Sequence, residues 1–230
     1  MIRLFAAFAY GDEAELGFDP TIEPVPGNLG QFVITVHPHN AEHHPRKFRT
    51  VETLSSYGAE PFRGRGTRVF KAIELDGIGN PKGQHVVLKD IWIDSDHTRE
   101  GDILAALYDA ADEDDKPLVR RYFLTAIFHG DVRTKLDSLD DTAECIMRGL
   151  NIAPDHGPQF VLQHAPVLQE EEKPSRSASL RALSYIPFPR PGAHKTHYRI
   201  VFKEICEPID LIPRLSNVMS VLSEAVRGAF

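Results

Sequence analysis

The distribution of apolar and polar positions divides the chain into a short series of elements. Residues 1–17 read as a helix, ended by Gly17 and then Pro20, and a Pro- and Gly-rich joint runs from Pro20 to Gly30. Residues 31–36 read as a strand by their β-branched content, and residues 37–45 as a loop. Three further strands are expected at 68–75, 85–93 and 125–132, the first two joined as a hairpin through the turn from Asp76 to Gly83. Between the second and third lies an expected helix, 98–111. Asp94, Ser95 and Asp96 offer N-caps for it, and Ile103, Leu104 and Leu107 supply an apolar stripe. A short helix is expected at 136–150. Residues 151–197 combine Glu170, Glu171 and Glu172 with a Ser-rich run and with Pro187, Pro189 and Pro191, the composition of a mobile insertion. A strand at 198–206 and a helix from 216 to 230, with Val218, Val221, Leu222 and Ala225 on one side, complete the order. Hairpin-linked strands with a helix laid on them predict an α+β fold built on an antiparallel sheet.

Composition narrows the class. The 230 residues are 42% hydrophobic and 26% charged, with a mean hydropathy of −0.27. Those values exclude a disordered tail, a collagen-like repeat and a small disulfide scaffold. A net charge of −7 gives no global basic field, so neither nucleic acid nor an anionic membrane is an expected partner. Cys145 and Cys206 are too few for a disulfide framework, which points to a reducing compartment. No apolar run reaches the length of about 20 residues that spans a bilayer. Residues 1–10 resemble a short signal-peptide core, but only Arg3 is positive and Asp12, Glu13 and Glu15 follow at once. An intracellular protein, cytoplasmic or nuclear, is expected.

Candidate chemistry concentrates between residues 64 and 104. Gly64 and Gly66 stand just ahead of a strand, where glycine lets backbone N–H groups approach phosphate oxygens. Lys89 shares a strand face with Val87, Ile91 and Ile93, and an ammonium among apolar neighbours needs a partner. Glu100 opens the next helix, eleven positions on, on the face of Ile103, Leu104 and Leu107. A Lys–Glu pair between a strand and a packed helix is how protein kinases hold the lysine that contacts the α- and β-phosphates of ATP.

From these motifs the chain resembles the fungal-type protein kinase family, a divergent group related to eukaryotic protein kinases. The resemblance runs through residues 15–22, 63–72, 87–94, 99–104, 123–132 and 199–205, and is most specific around Lys89 and Glu100. It implies a kinase-like N-terminal lobe with an αC-type helix. Residues 1–50 would be a family-specific extension, 51–206 the lobe with its insertion at 151–197, and 207–230 the hinge and first helix of a C-terminal lobe. It implies ATP as ligand and phosphorylation of protein serine or threonine as the family activity. Carried over by position, Gly64, Gly66 and Thr67 match the glycine-rich loop and Val69 the valine that roofs adenine. Lys89 matches the phosphate-contacting lysine and Glu100 its helix partner. The backbone from Lys203 to Cys206, with Glu204 at its centre, matches the hinge. The usual third glycine of the loop is absent.

The resemblance also defines what is missing. Phosphoryl transfer needs an aspartate that orients the acceptor, and an asparagine and a second aspartate for Mg²⁺. After residue 206 the only aspartate is Asp210, in the hinge region. No catalytic residue and no metal site are therefore expected, the chain alone is expected to be inactive, and Mg²⁺ would belong to a complete domain. His129-Gly130-Asp131 superficially matches the catalytic loop of small-molecule phosphotransferases, but Leu136 stands where an asparagine is needed. His37, His39, His43 and His44 read as a solvated loop, since Pro38 and Pro45 argue against a helix holding them as ligands. Trp92 reads as core, and Arg46, Lys47 and Arg49 as a solvated basic face. The competing function is a non-catalytic, pseudokinase-like interaction module. An exposed apolar face on the last helix, Val218, Val221, Leu222 and Val226, would then seek a partner.

Overall fold

The structure, a computed structural model, describes residues 2–11, 16–40, 43–56, 65–134, 138–145, 194–207 and 209–227. Seven strands form one antiparallel sheet in the order β1-β2-β3-β4-β5-β7-β6. They are β1 (Ile22–Pro24), β2 (Phe32–Val36), β3 (Arg46–Ser56), β4 (Arg68–Leu75), β5 (Pro81–Asp94), β6 (Ala126–Asp131) and β7 (Lys195–Phe202). The helices are α1 (Ile2–Tyr10), α2 (Glu100–Ala110), α3 (Lys116–Tyr122), α4 (Thr142–Cys145) and α5 (Leu215–Arg227). Among the described residues no helix is long and apolar enough to cross a membrane.

The sheet is strongly curled. His39, just past β2, donates its backbone N–H to the carbonyl of His129 on β6 at 2.8 Å. The Arg46 guanidinium covers the ring of Phe128 at 4.4 Å. Strands far apart in sheet order thus meet, and the curl encloses Ile34, Val36, Phe48, Phe70, Ala72, Leu88, Phe128 and Val201. The outer face carries a second apolar cluster, Val87, Ile91, Tyr198, Ile200 and Phe202, against which Leu54, Val69 and Leu104 pack.

Toward one end the interior becomes ionic. Asp90, His197 and Arg199 are fully buried. Asp90 accepts from His197 Nε2 at 2.7 Å, from Arg199 Nε at 2.7 Å and from Arg68 Nε at 2.9 Å. Arg199 also donates to Thr21 Oγ1 at 2.6 Å, to the Thr35 carbonyl at 2.7 Å and to the Asp19 carboxylate. The second ring nitrogen of His197 meets Asp140 at 2.7 Å. Three carboxylates, Asp19, Asp90 and Asp140, therefore face Arg68, Arg199 and a doubly hydrogen-bonded imidazole. Burial opposes ionisation of Asp90, but His197, Arg199 and Arg68 hold its pKa far below the ordinary carboxylate range. Burial likewise opposes protonation of His197, and Asp90 and Asp140 outweigh it, so its pKa is raised.

Several expectations are corrected. Residues 46–56 form the strand β3, missed because its buried positions, Phe48 and Thr50, sit among Arg46, Lys47, Arg49 and Glu52. The first helix stops at Tyr10 rather than reaching residue 17. Helix α3 was not expected, and of the helix expected at 136–150 the described residues keep only Thr142–Cys145. Leu139 and Asp141 form extended bridges instead. The strand expected at 198–206 begins at Lys195, inside the expected insertion, because residues 195–202 pair along β5. Residues 151–193 of that insertion lie outside the described residues. Trp92 belongs to neither apolar cluster; its indole stacks on His197 at 4.6 Å with the ring planes 9° apart. That stacking suits an aromatic face against an imidazolium.

The raised pKa of His197 fixes the sign of a pH effect. The folded protein keeps this proton to higher pH than the unfolded chain does. Its contribution is complete below the unfolded value of about 6.5 and is lost as pH rises through the raised folded value. Urea unfolding of the wild type and of His197→Gln should therefore differ most near pH 6 and progressively less in the alkaline range. A difference independent of pH contradicts a protonated His197.

Candidate functional site

Strand alternation decides where the lysine points. On β5 the side chains of Leu88 and Asp90 enter the interior, so Val87, Lys89 and Ile91 occupy the outer face. Val69 lies directly across from Lys89 in the β4–β5 register. Lys89 Nζ reaches Glu100 Oε2, the first residue of α2, at 2.7 Å. The pair is partly exposed, so its value is geometric: it holds an ammonium on the wall of a cleft of about 410 Å³. Arg65, Ile91, Ile93 and Tyr198 line the same cleft. Its volume falls within the range of small-ligand sites.

Two further ties fix the first turn of α2. Arg99 makes a bidentate pair with Asp131 on β6, at 2.8 and 2.9 Å. The Gly101 N–H, one of the donors a helix start leaves unpaired, is accepted by the Tyr198 hydroxyl on β7 at 3.0 Å. Burial of that phenol pushes its pKa up, keeping it protonated. Helix α2 has no side-chain cap hydrogen bond, correcting the expectation that Asp94, Ser95 or Asp96 would cap it. Asp94 instead holds Lys195 at 2.8 Å.

The buried face of the helix also differs from the expected stripe. Of Ile103, Leu104 and Leu107, only Leu104 packs on the outer cluster; Ile103 is 53% exposed and Leu107 36%. Gly101 turns to the sheet because Tyr198 and Asp131 hold the first turn there. A Cβ at Gly101 would stand 2.3 Å from the His129 ring.

The other expected site residues are distributed as follows. Gly64 lies outside the described residues. Gly66 has φ +50°, a left-handed conformation that glycine adopts without strain. Arg65 offers its carbonyl to the Trp92 N–H at 2.8 Å, which ties the loop stem to β5, and Thr67 follows half-buried just before β4. Glu204 accepts the Thr125 N–H at 2.8 Å through its carboxylate, so its side chain is engaged with the start of β6. Asp131 of the His-Gly-Asp sequence is taken up by Arg99. Arg65 and Tyr198 were not singled out as site residues. Tyr198 has no local signal at all, since it meets α2 across 97 positions.

Compared with known families, the chain is matched from residue 1 to residue 230 by the family model described as fungal protein kinase. This chain belongs to that family. No curated protein and no solved structure matches it. Protein kinases place a glycine-rich loop, a strand lysine and a helix glutamate in that order along the chain. In this fungal protein kinase Gly66 precedes β4, Lys89 stands on β5 and Glu100 opens α2.

The packing at Gly101 yields a direct test. Gly101→Ala forces α2 off β6 and lowers stability by about 1–3 kcal/mol, the usual cost of overpacking. Hydrogen exchange should quicken in α2 while the interior of β4 and β5 stays protected. Unchanged exchange in α2 contradicts the close approach.

Proposed function

We propose that this chain is the nucleotide-binding lobe of a protein kinase whose ligand is ATP. The observation that supports it most is the Lys89–Glu100 pair on the cleft wall, with Val69 across the sheet from the lysine. Lys89 holds the α- and β-phosphates, and Glu100 holds Lys89 in place. The loop of Gly64, Gly66 and Thr67 covers the phosphates, with Arg65 adding positive charge. Val69 covers the adenine, and the backbone at Glu204 takes its edge. When bound, Mg²⁺ neutralises phosphate charge; its ligands and the acceptor-orienting aspartate are not among the residues that follow β7, where Asp210 is the only aspartate. The residues of the cleft account for nucleotide binding and not for phosphate transfer. The serine or threonine of a protein is the acceptor in the complete domain. An intracellular location follows from the ligand and from the exposed thiol of Cys206.

A second reading, a non-catalytic interaction module, is favoured by α5, where Met219, Val221 and Leu222 are exposed together. Val226 lies beyond the residues whose side chains are described. Calorimetric titration of ATP, with and without Mg²⁺, into the wild type and Lys89→Ala separates the two. Saturable binding is expected, weakened about 10- to 100-fold in Lys89→Ala, the loss of about 1.5–3 kcal/mol from a charged hydrogen bond. No binding by folded protein, or equal binding by the variant, overturns the nucleotide site and leaves the interaction module.

A further inference from the structure

Three side chains from three separate segments converge on the first turn of α2, away from Lys89. His39 follows β2, Asp102 is in the first turn of α2, and His129 is on β6. His39 Nε2 lies 3.4 Å from Asp102 Oδ1, and His129 Nε2 lies 3.9 Å from the same oxygen. One ligand atom from each residue falls within 4.8 Å of the other two. The two imidazoles stack with centroids 5.2 Å apart.

The arrangement leaves His129 unsatisfied. Its side chain is only 18% exposed, its Nδ1 is buried without a hydrogen-bond partner among the described residues, and 3.9 Å at Nε2 exceeds hydrogen-bond range. A polar ring in that state is costly. It is nonetheless held in place: the His39 N–H is bonded to the His129 carbonyl, and Gly101 leaves room for the ring against the helix.

These dimensions suit a metal ion. Ligand atoms at about 2.0–2.1 Å from a tetrahedral Zn²⁺ lie about 3.3–3.4 Å from one another. The His39–Asp102 separation already matches, and His129 Nε2 needs to close on Asp102 by about half an ångström to meet that spacing. Two imidazoles and one carboxylate suit Zn²⁺ rather than Mg²⁺ or Ca²⁺, which take oxygen ligands. We propose that His39, Asp102 and His129 form a zinc site, with water at the fourth position, that fastens the segment after β2 and strand β6 to helix α2. The proposal departs from the sequence expectation of no metal, because His39 lies beside residues 63 and 90 positions away rather than being grouped with His43 and His44. Bound Zn²⁺ would steady the helix turn that presents Glu100 to Lys89.

Zn²⁺ titration by calorimetry and Co²⁺ visible spectroscopy on the full chain test the proposal. The comparison uses His39→Ala, at an exposed ring, and Asp102→Asn, each checked for folding by circular dichroism. One Zn²⁺ per chain is expected, with visible Co²⁺ bands of tetrahedral intensity, and each variant should weaken binding at least about tenfold. Absence of saturable binding overturns the site. Binding unchanged in both folded variants also overturns it, by assigning the metal to other histidines.

Discussion

Asp90 brings a full negative charge into the interior of a curled sheet, and the arrangement of the strands around it follows from that charge. An uncompensated buried carboxylate is untenable. Here Arg199 and His197 from β7 and Arg68 from β4 meet it, while Asp19 and Asp140 satisfy the outward sides of Arg199 and His197. These bonds join the central strands to the segment before β1 and to the segment ahead of α4. A one-residue slip of β5 against β7 would turn Asp90 outward and take it from Arg199, His197 and Arg68, so the ionic network helps to specify register. Breaking such a pair typically costs about 3–5 kcal/mol.

The same strand alternation carries the site. Asp90 points inward, so its neighbour Lys89 points outward, and Tyr198 and Arg199 divide between the two faces in the same way. The buried network and the cleft are two sides of one register. Tyr198 and Asp131 then fix the turn of α2 that brings Glu100 to Lys89. The contact between Lys89 and Glu100 is thus held from the interior of the sheet rather than at the cleft.

The Lys89–Glu100 pairing was legible in the sequence because it rests on local rules, the period of a strand and the first turn of a helix eleven residues on. The β4–β5 hairpin was legible from its glycine turn. Strand β3 was not, because its charged neighbours Arg46, Lys47, Arg49 and Glu52 hid the alternation of Phe48 and Thr50. The ionic network could not be read either: Asp90 and Arg199 are 109 positions apart, and no periodicity links them. The rotation of α2 onto Gly101 was hidden for the same reason, since its causes, Tyr198 and Asp131, lie far along the chain. Local spacing paired Lys89 with Glu100, and long-range contacts decided how the elements that carry them are oriented.

The central claim is that Lys89 faces the phosphates of a bound nucleotide, and covalent labelling tests it most directly. An acyl phosphate of ATP transfers its acyl group to a lysine beside the phosphates, and mass spectrometry locates the modified residue. The account predicts that Lys89 is acylated ahead of the other lysines and is protected by excess ATP. Equal labelling of all lysines, or labelling of Lys89 that ATP leaves unchanged, contradicts it.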